Sequence, residues 1–235
     1  MAPLTPRAAD DSSGGDRPIR LAIVDDDPLV RAGLTMLLAG FPDIAIVGEA
    51  ANGAQAEELV DAHWPDVVLM DIRMPTVDGL EATERLRTRA QPPQVIVLTT
   101  FDADDYVLRA LRAGASGFLL KDTPPRDIIA AIRTVAAGDA MLSPSVTRQV
   151  IQRFADPTGA ARRTEARELL NRLTERERAV ALAVGRGHSN AEIGAALHLS
   201  VPTVKAHVSR VLTKLNVTNR VQVALLVHDT GERGA

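Results

Sequence analysis

Leu21-Ala22-Ile23-Val24-Asp25-Asp26-Asp27-Pro28 is an apolar strand that runs straight into three carboxylates and a proline. Four consecutive apolar residues suit a strand buried on both faces, as in a parallel sheet covered by helices. The same arrangement returns along the chain. Val67-Val68-Leu69-Met70 ends at Asp71, Val95-Ile96-Val97-Leu98 ends at Thr99, and Gly117-Phe118-Leu119-Leu120 ends at Lys121. In an open parallel α/β sheet the carboxyl ends of the strands converge on one rim, where ligands bind. Residues far apart in sequence therefore meet there. Clustered carboxylates repel one another unless a cation sits among them, and an all-oxygen set suits a hard ion such as Mg²⁺.

Between the strand signals lie amphipathic helical segments. The pattern predicts strands over 20–24, 44–50, 67–70, 94–98 and 117–120, and helices over 28–38, 54–63, 80–89, 104–113 and 125–137. Strand–helix alternation of this kind gives a doubly wound, five-stranded parallel sheet of α/β class. Asp27 before Pro28 also has a purely structural use, as a helix N-cap followed by proline in the first turn. That use leaves Asp25 and Asp26 unexplained. Asp71, Thr99 and Lys121 each have ordinary uses when taken singly; their shared placement just past a strand is what joins them.

The remaining sequence divides the chain. Residues 1–18 are rich in Pro, Asp, Ser, Gly and Arg with no apolar core, which reads as a disordered tail and not as a secretory signal. Residues 19–140 carry a net charge of −8 and residues 161–235 a net of +5, within a total of −3. An acidic half joined to a basic half points to two domains with different partners, the basic one suited to a polyanion. Residues 141–172 read as a linker with room for some helix. With no cysteine, disulfides, zinc–thiolate sites and thiol chemistry are excluded. No apolar run has the length of a membrane span, so a cytoplasmic protein with no membrane partner is expected.

Residues 173–230 read as a smaller all-α domain of four helices. Thr174-x-x-Glu177 and Ser189-x-x-Glu192 are capping boxes that start two helices. Ser200 caps a third over 201–215, and Asn219 a fourth ending near residue 228. The third carries Val204, Val208, Val211 and Leu215 on one face and Thr203, Lys205, Ala206, Ser209, Arg210 and Thr213 on the other. A helix of this kind, a short turn after a capped helix, suits the recognition element of a helix-turn-helix. The fourth helix is apolar on more than one side, which suits pairing of domains.

The first half resembles the flavodoxin-like receiver domain of bacterial two-component response regulators. Asp25, Asp26, Asp71, Thr99 and Lys121 carry the likeness, with Met74-Pro75, Asp78-Gly79 and Gly114-Ala115-Ser116-Gly117-Phe118. The resemblance implies that Asp71 accepts a phosphoryl group from the histidine of a sensor kinase. It implies Mg²⁺ bound directly by Asp26 and Asp71, with Asp25 acting through water and the Arg73 carbonyl as a further ligand. It also implies that Thr99 and Lys121 contact the phosphoryl group and that Phe118 follows Thr99 as the switch. Arg73 and Phe101 stand where the family tunes the lifetime of the phosphoryl group. Neither can orient a water as a carboxylate or carboxamide would, so slow self-dephosphorylation is expected.

The second half resembles the LuxR-type domain of the NarL/FixJ family, through Leu173-Thr174-Glu175-Arg176-Glu177, Ser189-Asn190-Ala191-Glu192-Ile193-Gly194, Leu199-Ser200-Val201-Pro202-Thr203-Val204-Lys205-Ala206-His207-Val208 and Lys214-Leu215-Asn216-Val217. It implies binding to promoter DNA, with Lys205, Ala206 and Ser209 nearest the base edges and Thr203, His207, Arg210 and Lys214 toward phosphates. A homodimer on phosphorylation is expected, because one small helical module makes few base contacts. The expectation is a DNA-binding regulator and not a turnover enzyme. Two rivals stay open: a regulator that works without phosphorylation, and a Mg²⁺-dependent aspartyl-phosphate hydrolase, for which Arg73 supplies no acid.

Overall fold

The computed structural model of the chain describes residues 17–99, 104–142 and 160–231. Phe101, one of the two residues expected to set the phosphoryl lifetime, lies outside them, as do residues 1–16 of the expected tail and 143–159 of the linker.

In the N-terminal half the strands are β1 (Ile19–Val24), β2 (Ile44–Ala50), β3 (Val67–Asp71), β4 (Gln94–Thr99) and β5 (Gly117–Leu120). They alternate with α1 (Pro28–Leu38), α2 (Gly53–His63), α3 (Gly79–Arg87), α4 (Asp104–Ala113) and α5 (Pro125–Ala136). The strands are all parallel, in the order β2-β1-β3-β4-β5, as expected for a doubly wound sheet. A two-residue strand that the sequence pattern does not signal, β6 (Met141–Leu142), extends this edge by pairing with β5.

Period-two alternation divides the strand side chains between two layers. Leu21, Ile23, Leu69, Ile96, Leu98 and Leu119 pack with Leu34 and Leu38 of α1 and with Ile128, Ile129 and Ile132 of α5. Ala22, Val24, Val68, Met70 and Val95 pack on the opposite face with Leu59 and Val60 of α2 and Leu86 of α3. Burial of both faces is why these strands read as continuous apolar runs. The helix starts follow the capping rules: the Asp27 carboxylate accepts from the Leu29 N–H at 2.8 Å, and Asp78 accepts from Glu81 N–H at 2.8 Å.

Within 141–172, a helix α6 (Ala160–Leu170) buries Leu170 in the C-terminal core. The C-terminal domain continues with α7 (Glu175–Gly185), α8 (Asn190–Leu197), α9 (Val201–Leu215) and α10 (Arg220–Asp229). Both capping boxes form, Thr174 with Glu177 and Ser189 with Glu192. Val204, Val208, Val211 and Leu215 form the buried stripe of α9, packed with Val180 and Val184 of α7 and Ile193 of α8. Among the described residues no helix is long and apolar enough to cross a membrane.

Candidate functional site

The sheet order places β1 and β3 side by side where the winding reverses, and the crevice at that reversal opens past the strand ends. Asp25 leaves β1 and Asp71 ends β3 within this crevice. Asp25 and Asp71 are buried at 2% and 5% exposure, whereas Asp26 is exposed. One carboxylate oxygen from each of Asp25, Asp26 and Asp71 lies within 4.8 Å of the others. Lys121, one residue past β5, brings Nζ to 2.6 Å from Asp25 Oδ2 and 3.3 Å from Asp71 Oδ1. Its backbone N–H donates to the Thr99 carbonyl at 2.7 Å, fixing the lysine beside the buried Thr99. Burial raises the pKa of Asp71; the Lys121 charge pulls it down and the Asp25 charge pushes it up. The Lys121 ammonium is raised despite its own burial, because Asp25 and Asp71 hold the proton on it.

Two further contacts shape the pocket. Asp25 Oδ1 accepts from Asp27 N–H at 3.0 Å, so both Asp25 oxygens are engaged. The loop after Asp71 is folded back by Gly79, whose N–H donates to the Ile72 carbonyl at 2.9 Å. A Cβ at Gly79 would stand 1.8 Å from the Asp71 carbonyl oxygen, so only glycine admits this approach. The exposed Arg73 side chain leans away over the ring of Tyr106, its guanidinium carbon 5.6 Å from the centroid.

Three carboxylate oxygens at this spacing suit a small hard cation. Octahedral Mg²⁺ keeps its oxygens at about 2.1 Å, hence no more than about 4.2 Å apart, a span the cluster reaches with small side-chain adjustment.

On the C-terminal domain, Thr203, Lys205, Ala206, Ser209, Arg210 and Lys214 lie exposed along α9, and His207 is half-buried with Nδ1 unpartnered. Lys214 is engaged within its own domain: Nζ is 2.7 Å from the Glu177 carboxylate, the N3 residue of the α7 capping box. That contact and the Thr174 N–H hold the Glu177 carboxyl down at about 2.

Comparisons with known proteins agree with this arrangement. Residues 21–133 match the response regulator receiver domain, and residues 171–227 match the luxR family of bacterial regulatory proteins. The nitrate/nitrite response regulator protein NarL of Escherichia coli (strain K12) is 36% identical over 90% of this chain and 95% of its own length. The transcriptional regulatory protein LiaR of Bacillus subtilis (strain 168) is 37% identical over 89% of this chain and 97% of its own. The chain belongs to the NarL/LuxR family of response regulators. A solved structure, the response regulator ChrA of a heme-sensing two-component system, has a TM-score of 0.50 at 34% identity, covering 91% of this chain and 98% of that one. This chain is thus a DNA-binding response regulator whose acidic pocket sits in a receiver domain and whose α9 is the second helix of a LuxR-type helix-turn-helix.

The receiver and the DNA-binding domain are packed together through residues that the sequence pattern did not single out for this role. Asn219 caps α10, accepting from Gln222 N–H at 2.8 Å, and its Nδ2 donates to the Leu111 and Ala115 carbonyls of the receiver, each at 2.9 Å. Gln222 Nε2 donates to the Leu111 and Arg112 carbonyls. Arg220 pairs with Asp139 and donates to the Gly138 and His188 carbonyls. Arg87 of α3 donates to the Thr218 carbonyl. Val221 joins Val97, Val107, Leu111 and the fully buried Phe118 in one apolar cluster. The two apolar sides of the last helix are thereby explained: Val223 and Val227 face their own domain, and Val221 faces the receiver. Lys205 and Ser209 line a cavity whose other wall includes Arg87, Gln94 and Ser116 of the receiver.

Proposed function

We propose that this response regulator is switched by phosphorylation of Asp71, and that the phosphorylated homodimer binds promoter DNA. The observation that carries this reading is the buried Asp71 carboxylate beside the Lys121 ammonium, with Asp25, Asp26 and Thr99 around it. In the transfer, an Asp71 carboxylate oxygen forms the new O–P bond as the N–P bond to the sensor kinase histidine breaks. Positioning and charge neutralisation dominate such a reaction. Lys121 Nζ stands where it pairs with a phosphoryl oxygen, and the Thr99 hydroxyl donates to another. Asp26, Asp71 and the Arg73 carbonyl would hold Mg²⁺, with Asp25 assisting from outside that set, and the ion would supply further positive charge to the phosphoryl oxygens. The engagement of both Asp25 oxygens favours that division of roles.

The acyl phosphate brings new charge and three acceptor oxygens into a buried crevice, so its neighbours must rearrange. Thr99 turns to the phosphoryl group and Phe118 follows. Phe118 shares its cluster with Val221, so the change reaches α10 through packing. Loss of that seat separates the domains and frees Lys205 and Ser209 for DNA and α10 for a second copy. Lys205, Ala206 and Ser209 then face base edges, while Thr203, His207, Arg210 and Lys214 lie toward the backbone; Lys214 must first leave Glu177. With Arg73 at its lip, the pocket holds its phosphoryl group for long periods.

Intact-protein mass after incubation with acetyl phosphate and Mg²⁺ tests the reading, with wild type beside Asp71→Asn. One added phosphoryl group in the wild type alone is expected. Addition to both proteins, or to neither even with a cognate kinase, would overturn Asp71 as acceptor.

A further inference from the structure

A cavity of about 220 Å³ lies between the two domains, lined by Arg87, Ser116 and Asp139 of the receiver and by Lys205, Ser209 and Arg220 of the DNA-binding domain, among others. Its charge is unbalanced: three cations face a single carboxylate, and that carboxylate is already paired with Arg220. Among the described residues, neither Arg87 nor Lys205 has an acid within salt-bridge distance.

Arg87 is the sharper case. Its residue is 8% exposed, its Nη1 donates to the Pro93 carbonyl at 2.8 Å and its Nη2 to the Thr218 carbonyl, while the buried Nε has no partner. Burial without an acid depresses its pKa to about 10. Buried charges in proteins are paired, because the desolvation of an unpaired ion is not otherwise repaid. Carbonyl dipoles offset part of that cost and leave Nε without a partner and the charge without an acid. Lys205 and Ser209 add an ammonium and a hydroxyl from the opposite wall. A water occupies ~30 Å³ of liquid, so the cavity has room for a tetrahedral oxyanion and accompanying waters.

We propose that this cavity binds a small phosphate-class oxyanion, held jointly by Arg87 of the receiver and Lys205 of α9, and that its occupancy keeps the two domains closed. Both walls contribute a ligand, so the ion acts as a removable cross-link between domains. Lys205 cannot serve the ion and DNA together, and the ion therefore opposes DNA binding; this last consequence alone rests on the functional reading above.

The test uses full-length protein carrying Asp71→Asn, in EDTA without Mg²⁺, so that the acidic pocket is not a competing phosphate site. Inorganic phosphate is titrated by calorimetry, with chloride holding ionic strength constant. One saturable site is expected, weakened about tenfold or more by Arg87→Gln and, separately, by Lys205→Gln. Lys205 is exposed, so its variant keeps the fold even where the loss of buried Arg87 does not. Small-angle scattering should show phosphate lowering the radius of gyration of the parent and leaving the Lys205→Gln protein unchanged. Absence of saturable binding, or binding indifferent to Lys205→Gln, would overturn the shared site. Glycerol 3-phosphate in the same cell separates the sources: tighter binding than inorganic phosphate assigns the site to a phosphorylated metabolite, and equal or weaker binding to phosphate itself.

Discussion

Asn219 donates a side-chain N–H to the Leu111 carbonyl at 2.9 Å, so the cap of α10 also straps the DNA-binding domain to the end of α4. The same carboxamide nitrogen reaches the Ala115 carbonyl. Asn219→Asp keeps the capping oxygen, removes both donors and turns a carboxylate toward two carbonyls. Leaving buried partners unmet costs about 1–3 kcal/mol, all of it in the closed arrangement. The unphosphorylated variant should have a larger radius of gyration and bind DNA about 5–150-fold more tightly, the span such coupling energies give. Wild-type dimensions and affinity would show that the strap bears no part of the closure.

The Asp71 carboxylate sits in a site that resists its charge. Its folded pKa is raised, chiefly by burial. The sign follows from linkage: a raised folded pKa favours the fold while the group is protonated, and that contribution is lost as pH rises through the folded value. At neutral pH ionised Asp71 therefore weighs against folding. Asp71→Asn should raise Tm in the absence of Mg²⁺. The gap should narrow on acidification, as wild-type Asp71 takes up its proton, and narrow again on addition of Mg²⁺. A gap independent of both pH and Mg²⁺ would count against this account.

Gly79 makes its own prediction. A methyl group there meets the Asp71 carbonyl oxygen at 1.8 Å, with backbone on both sides of the contact and no flexible side chain to yield. Gly79→Ala should cost about 1–3 kcal/mol in denaturant titrations, as overpacking does. Because the displaced atom belongs to the proposed acceptor, phosphorylation should slow as well. A variant of normal stability that phosphorylates at the wild-type rate would mean that the loop relaxes freely.

Glu177 links the capping box of α7 to the base of α9. Its carboxyl is depressed from 4.5 to about 2, first by Lys214, then by the Thr174 N–H. A depressed acid contributes stability above its unfolded value and loses it as pH falls through the folded one. The C-terminal domain should lose stability as pH falls from about 4.5 toward about 2, and Glu177→Gln should flatten that part of the profile. Circular dichroism melts across this range measure it; equal slopes for both proteins would remove Glu177 as the cause.

The strand ends were legible because burial on both faces leaves an unmistakable apolar run, and because each run stops at a polar residue on the same rim. The α9 stripe was legible for the same reason at helical period. The Asn219 strap and the interdomain contacts of Arg87 and Arg220 were not. Arg87, Asn219 and Arg220 are polar residues at helix ends, where local pattern predicts caps and solvated charges; only tertiary packing turns them inward. The one available sign was α10, apolar on more sides than a single core requires. It pointed to a second contact without saying that Val221 would meet the receiver. Likewise β6 is two residues long, too short for any periodicity to register.

Lys205 offers the most direct test of how this domain reads DNA. It is exposed on α9, one turn inside the Ser200 cap, on the face opposite buried Val204 and Val208. A lysine there can donate to the guanine acceptors of the major groove, O6 and N7. Lys205→Ala should weaken binding to a selected operator by about 1–3 kcal/mol and relax preference at one base position, with a smaller loss on random DNA. Titrations of the phosphorylated protein against both DNAs, at matched salt, separate the two roles. An equal loss on both would reassign Lys205 to the phosphate backbone and move base reading to Ala206 and Ser209. Ser209 is short, so sequence preference would then rest on close approach of the helix backbone, and widening that face with Ser209→Gln should change the preferred operator.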